Sequence, residues 1–234
     1  MTISAAERKP LFNGEFIAFS PFDRVALRAL IDQAGSRRAR MVEIGSWLGN
    51  GSTQVFIEAL RDGRGTVCCV DTWLGNPNVE RHQSLVANYD VFGTFLTNVA
   101  RGGGGGIVKP LMMSSRDAAS VMADGAFDLV FIDADHSYDA VQEDIRLWKS
   151  KVAPGGILCG HDCELRAEAV GMDLLVANRM RDTIPGPHTF PVIHPGSILA
   201  VHEAFGDTVK LWSQSPCRLS DGTTGCSTIW YQHC

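Results

Sequence analysis

Two apolar runs each end in residues that can hold a cation or move a proton. "FDLVFI" leads into Asp133, Ala134, Asp135 and His136, and "ILCG" leads into His161 and Asp162. A carboxylate at the end of a buried strand is costly unless it is paired. Several converging on one point are better explained by a bound cation. His136, with an ordinary pKa of about 6.5, has the chemistry of a general base. The plainer alternative makes Asp135 a helix cap, His136 a capping or surface histidine and His161 a satisfied interior histidine. Tyr138 reads as packing and Asp128 as a surface turn residue.

A second constellation lies upstream. "VEIGSWLGNGS" places a glycine directly after a strand and more glycines before a helix. Such a turn lets a ligand approach the backbone closely. Glu43 sits within the apolar strand and needs a partner there. Asp71 ends the next strand, roughly 20 residues beyond the turn, where an acid can bind the two hydroxyls of a ribose. Ser46 is followed by Trp47 and Leu48, so the G-x-G-x-x-G fingerprint is not present. The pattern suits a ligand with an adenosine but no pyrophosphate.

The elements that carry these residues alternate. "RMVEIG", "GTVCCVDTW", "IVKPLMMSS", "FDLVFIDAD" and "ILCGHD" read as strands, separated by helical stretches. One helix starts at Ser20-Pro21 with Asp23 in its first turn, and buries Leu27, Leu30, Ile31 and Ala34. Another puts Leu85, Tyr89, Phe92, Leu96 and Val99 on one stripe before "RGGGGG" breaks it. A third, which Ser137 can cap, carries Val141, Ile145 and Trp148. "ELRAEAVGMDLLVANRMRD" and "GSILAVHEAFG" complete the helices, and "TVKLWSQ" and "STIWYQH" form a closing antiparallel pair. The expected fold is α/β: a doubly wound, Rossmann-like, mostly parallel seven-stranded sheet with helices on both faces. One domain is expected over 1–234, with 1–38 an N-terminal helical segment and 163–197 an acceptor-side insertion.

Four of these segments, "VEIGSWLGNGS", "VDTW", "FDLVFIDADHSY" and "APGGILCGHD", resemble the class I S-adenosylmethionine-dependent methyltransferases. Within them the resemblance is to the metal-dependent O-methyltransferase branch, with its catechol, caffeoyl-CoA and macrolide-sugar enzymes; relatives of this fold include a cephalosporin hydroxylase-like protein. It spans roughly residues 40–163. The resemblance implies that Glu43, Gly45 and Ser46 line the methionine part of the cofactor and that Asp71 holds its ribose. It places Ser115 and Arg116 near the adenine, with Trp73 either there or in the core. Asp133, bordering the cofactor, would share a divalent metal with His161 and Asp162, and His136 would be the base. The catechol-type pattern ends in Asp-Asn where this chain has His-Asp. His161 is therefore a ligand or a support, and Mn²⁺ or Fe²⁺ joins Mg²⁺ as a candidate.

The implied activity is transfer of a methyl group to a hydroxyl of a small molecule, a sugar or natural product. "LGNPNVERHQ", "CELRAEAVG" and "PGPHTFPVIHPGS", with His82, His188 and His194, are the segments available to bind that acceptor. An NAD-dependent oxidoreductase and a nonenzymatic cofactor-binding protein are the rival functions. Net charge is −5 and no basic stripe stands out, which disfavours nucleic acid as a partner. No apolar run is long enough to span a membrane and the N-terminus lacks a signal-peptide core, so a cytoplasmic protein with reduced thiols is expected. A Cys217–Cys226 bridge and a homo-oligomer are left open.

Overall fold

Short runs rich in Val, Ile, Leu, Phe and Cys, each bounded by a turn, form the buried strands. In chain order they are β1 (Ala39–Ile44), β2 (Gly65–Asp71), β3 (Val108–Met112), β4 (Phe127–Ile132), β5 (Val152–Gly160), β6 (Lys210–Leu211) and β7 (Trp230–His233). The structure, a computed structural model, describes residues 19–35 and 38–234. The sheet runs β3-β2-β1-β4-β5-β7-β6. The first five strands are parallel, and β7 lies antiparallel to both β5 and β6. The closing pair is thus present, although β6 is only two residues long.

Helices cover both faces. They are α1 (Pro21–Ala34), α2 (Ser52–Ala59), α3 (Glu80–Asn88), α4 (Val91–Arg101), α5 (Ser115–Val121), α6 (Tyr138–Trp148), α7 (Ala167–Val170), α8 (Met172–Asn178) and α9 (Pro195–Phe205). Leu27, Phe56 and Phe95 of α1, α2 and α4 pack with Met41, Leu129 and Phe131 in one core. Ile145, Trp148, Leu175 and Leu199 of α6, α8 and α9 pack with Val42, Val130 and Leu158 in the other. Ser20 caps α1 by accepting from the Asp23 amide at 3.1 Å.

Several local expectations are corrected. The stripe from Leu85 to Val99 is two helices, because Asp90 caps a new start by accepting from the Gly93 amide at 2.8 Å. Tyr89 and Leu96 are consequently exposed, while Phe95 and Val99 are buried. The long helical stretch after β5 splits at Gly171, whose φ is 98°. Ser137 stands at the start of α6 without a capping bond from its side chain; Asp135 accepts from its amide instead. Cys217 and Cys226 are free thiols. No helix among the described residues is long and apolar enough to cross a membrane.

β1 is the switch strand, with β2 on one side and β4 on the other, so a crevice opens above the carboxyl ends of β1 and β4. The crevice floor is tight. Asp133 N donates to Ile44 O at 2.8 Å, and Gly45 N donates to Val70 O at 2.9 Å. Gly45 has φ +90°, and a Cβ there would stand 2.0 Å from Asp133 O. Gly45→Ala is therefore expected to cost at least about 2 kcal/mol, from left-handed strain plus displacement of the Asp133 turn. Urea unfolding of the two proteins measures this.

Candidate functional site

A cavity of about 470 Å³ lies in this crevice. Its inner wall is the glycine turn, with Gly45, Ser46 and Trp47, and the end of β2, with Asp71. Trp47 and Trp73 both hold a positive φ, 44° and 53°, which bulky residues rarely adopt. Asp71 explains both. Its Oδ2 accepts from the Trp47 amide at 2.8 Å and its Oδ1 from the Trp73 amide at 2.6 Å. Burial pushes the Asp71 carboxyl up, against these amide donors that favour its anion. Each oxygen keeps a lone pair for a ligand hydroxyl.

Two expected cofactor contacts, Glu43 and Arg116, lie elsewhere, and Trp73, left open between cofactor and core, is in the core. Glu43 is fully buried and does not line the cavity. It alternates to the sheet face under α2, where Oε2 accepts from Ser46 Oγ at 2.6 Å, Thr53 Oγ1 at 2.7 Å and Cys69 Sγ at 3.2 Å. It holds the turn from beneath, and burial raises its pKa. Trp73 is a core aromatic: its ring lies 4.5 Å from Phe92 and 4.8 Å from Phe95, and Nε1 donates to Trp47 O. Arg116 is outside the cavity, exposed and paired with Glu143. Ser115 does line it, tethered from behind by Asp144 and by Trp148 Nε1 at 2.8 Å. Asp144 falls on the same buried stripe of α6 as Val141, Ile145 and Trp148, and burial pushes its carboxyl to about 7.

The outer wall is a cluster of carboxylates and imidazoles around Asp162. Asp162 Oδ2 lies 3.0 Å from His136 Nε2, and Oδ1 lies 3.0 Å from His161 Nδ1 and 3.4 Å from His194 Nδ1. Burial alone would raise the Asp162 carboxyl, but His161, His194 and His136 hold it well below the usual range. Asp133 is different. Burial raises it to about 6, with the Asp162 charge adding to the effect and His161 opposing it.

His136 and His161 are both tied to carboxylates, and of the two roles left open for His161 its contacts favour support. His136 Nε2 faces Asp162, with Asp133 Oδ1 at 4.0 Å, and Nδ1 is bonded to Asp182 Oδ1 at 2.9 Å. Burial would lower this imidazole, but Asp162 and Asp182 push it well above its ordinary pKa. Nδ1 is thus committed to Asp182, while Nε2 faces the two strand-end aspartates. His161 stacks on Phe19 at 5.0 Å and sets Nε2 3.2 Å from Asp23 Oδ2, outside hydrogen-bond geometry. It is an interior imidazole supporting the two aspartates.

Among the described residues, one donor atom each from Asp133, His136 and Asp162 lies within a 4.8 Å cluster, a set that fits a divalent ion. His161 belongs to none of the donor clusters found there. Sequence reasoning missed three contributors, Asp23, Glu164 and Asp182, and had His194 only among the loop histidines of the acceptor segments. Asp23 carried a signal, but its first-turn position explained it too easily. It is buried, accepting from Ser227 Oγ at 2.7 Å and from the Thr228 amide at 2.9 Å. Glu164 is buried too, and fixes His194 through its amide at 3.1 Å and Nδ1 at 2.6 Å. Of the three acceptor segments, the first supplies Gly75, Asn76, Pro77 and His82 to the cavity and the third supplies His194. The segment after β5 does not line it. His82 stacks on Trp47 at 4.6 Å.

A family described as "Methyltransferase domain" matches residues 42–163, slightly over half of the chain. No curated protein matches it. Among solved structures, an O-methyltransferase from Bacillus cereus in complex with SAH is 20% identical, with a TM-score of 0.55 over 92% of this chain and 82% of that one. TomG from Streptomyces achromogenes, an O-methyltransferase involved in tomaymycin synthesis and bound to SAM, is 15% identical, with a TM-score of 0.56 over 93% and 81%. The O-methyltransferase NovP is 16% identical, with a TM-score of 0.58 over 90% and 78%. At these identities the likeness is one of fold.

Asp133 gives a stability signature of the site. Its pKa is raised on folding, so the folded protein disfavours its anion. This costs stability progressively as pH rises from about 4 to about 6, and the cost persists above that. Asp133→Asn is expected to be more stable than wild type by about 1–3 kcal/mol at pH 7.5 without divalent ions, with the advantage gone near pH 4. Chemical denaturation at the two pH values checks it.

Proposed function

We propose, from the premise that this chain belongs to the methyltransferase domain family, that it moves a methyl group from S-adenosylmethionine to a hydroxyl of a small molecule, a sugar or natural product, with a divalent cation assisting. One observation carries the proposal: a carboxylate suited to ribose, Asp71, and a carboxylate–imidazole cluster, Asp133 with His136 and Asp162, line the same cavity. The missing second glycine of the dinucleotide fingerprint argues against the oxidoreductase alternative. The B. cereus and S. achromogenes proteins are O-methyltransferases in complex with SAH and SAM, which supports the choice of cofactor.

In this proposal Gly45 and Ser46 border the methionine part, Asp71 accepts from the ribose hydroxyls, and Ser115 faces the adenine. Asp133 and Asp162 hold the cation, with His136 Nε2 beside both. A bound divalent ion lowers the pKa of a hydroxyl that it touches. The chain's own task is alignment of acceptor oxygen, methyl carbon and sulfur, a problem of positioning. Trp47 and His82 offer an aromatic wall and Asn76 a polar one for the acceptor.

Calorimetric titration with S-adenosylhomocysteine tests the cofactor assignment. Wild type is expected to bind, and Asp71→Ala to bind at least about 10-fold more weakly, since a charged hydrogen-bond acceptor is worth about 1.5–3 kcal/mol. Absence of binding to wild type would refute the assignment. Asp133→Ala is expected to retain the cofactor and to lose divalent-ion-dependent transfer to hydroxyl acceptors.

A further inference from the structure

We infer that His136 is a ligand of the divalent ion, that Asp182 is its orienting residue, and that the centre therefore selects a borderline transition metal over Mg²⁺. This rests on the proposed cation site and deepens it. The geometry is that of a ligand set. Donors about 2.1 Å from an ion stand about 3.0 Å apart when adjacent and about 4.2 Å apart when opposite in an octahedron. His136 Nε2 lies 3.0 Å from Asp162 Oδ2 and 4.0 Å from Asp133 Oδ1. One donor atom from each of the three lies within 4.8 Å of the others, close enough for one ion to touch all three.

The other ring nitrogen strengthens the assignment. A metal-bound imidazole characteristically donates its second N–H to a carboxylate, which fixes the tautomer and the ring plane. His136 Nδ1 is bonded to Asp182 Oδ1 at 2.9 Å. Asp182 is itself held in place, because its strand of chain is pinned to the His136 turn: Tyr138 N donates to Arg179 O at 2.9 Å. Gly196 packs there too, so closely that a Cβ would stand 2.3 Å from His136 O and 2.6 Å from Arg179 O. A second imidazole is nearby: the His194 ring is 4.7 Å from that of His136, and Glu164 holds its Nδ1 in the same manner.

Charge also favours an ion. Asp23, Asp133, Asp162, Glu164 and Asp182 surround His136, His161 and His194. Five carboxylates outnumber three imidazoles, so the cluster stays anionic even with every ring protonated. Imidazole with carboxylates suits Mn²⁺, Fe²⁺, Co²⁺ or Zn²⁺, whereas Mg²⁺ prefers oxygen alone and keeps its waters.

The test is titration of the full chain with Co²⁺, followed by visible absorption and calorimetry, and with Mg²⁺ by calorimetry. Wild type is expected to bind Co²⁺ at least about 100-fold more tightly than Mg²⁺, with ligand-field bands of nitrogen coordination. Asp182→Asn is expected to weaken Co²⁺ by about 10–100-fold, the usual loss when an orienting partner is removed, and to leave Mg²⁺ affinity within about 3-fold. His136→Gln is expected to abolish the preference. Equal affinity for the two ions in wild type, or Co²⁺ binding unaltered in Asp182→Asn, would overturn the inference. S-adenosylhomocysteine binding, measured in each variant, reports folding and separates this failure from failure of the cofactor assignment.

Discussion

The outer half of the site depends on one carboxylate in an unfavourable backbone conformation. Asp162 has φ 61°, a region that costs a non-glycine residue about 1–3 kcal/mol. That conformation turns its side chain back over the end of β5, where His136, His161 and His194 meet it from three directions. The strain is held by the surroundings. The Asp162 amide donates to Thr228 Oγ1, and the Thr228 amide donates to Asp23. Asp23 in turn stands beside His161, so α1, the approach to β7 and the end of β5 close a ring beneath the cluster. The left-handed turn of Asp162 is thus tied to α1 through Thr228 and Asp23.

The inner half repeats the device with different chemistry. Asp71 forms no ion pair among the described residues; it holds two backbone amides belonging to left-handed tryptophans. Trp47 is thereby pointed into the cavity, and Trp73 is pushed back into the aromatic core with Phe92 and Phe95. Glu43 secures the same turn from below through Ser46. Two acids, one within β1 and one ending β2, thus shape the backbone first, and only Asp71 lines the cavity, where its remaining lone pairs can meet a ligand. This explains why Glu43 and Asp71 look alike in the sequence yet only Asp71 reaches the cavity.

The sheet was legible because buried parallel strands write themselves as short apolar runs, and the turn residues at their ends are local. The crevice followed from strand alternation alone. The illegible part was set by distance along the chain. His194 and Asp182 lie in loops whose composition says nothing of where they fold, and Asp23 meets Ser227 across more than 200 residues. Asp144 was hidden differently: a carboxylate on an apolar helical stripe reads as a gap in the stripe, when it is in fact the anchor of Ser115. Arg116 failed in the opposite sense. It neighbours Ser115 in sequence, but successive helical residues point about 100° apart, and the arginine turns outward to Glu143.

Placing His136 between Asp162 and Asp182 has a structural consequence for the acceptor side. Asp182 comes from the segment after α8, and His194 from the residue that starts α9. Both reach the cluster from outside the matched region of 42–163, Asp182 through His136 and His194 through Asp162. The glycine turn and the two strand ends, by contrast, lie within that matched region. The second imidazole, the orienting carboxylate and part of the acceptor wall come from the chain beyond β5. Residues 179–182 carry both ties to the His136 turn, the Arg179 carbonyl that accepts from the Tyr138 amide and the Asp182 carboxylate on His136 Nδ1, so a shift of this segment would move the imidazole with it.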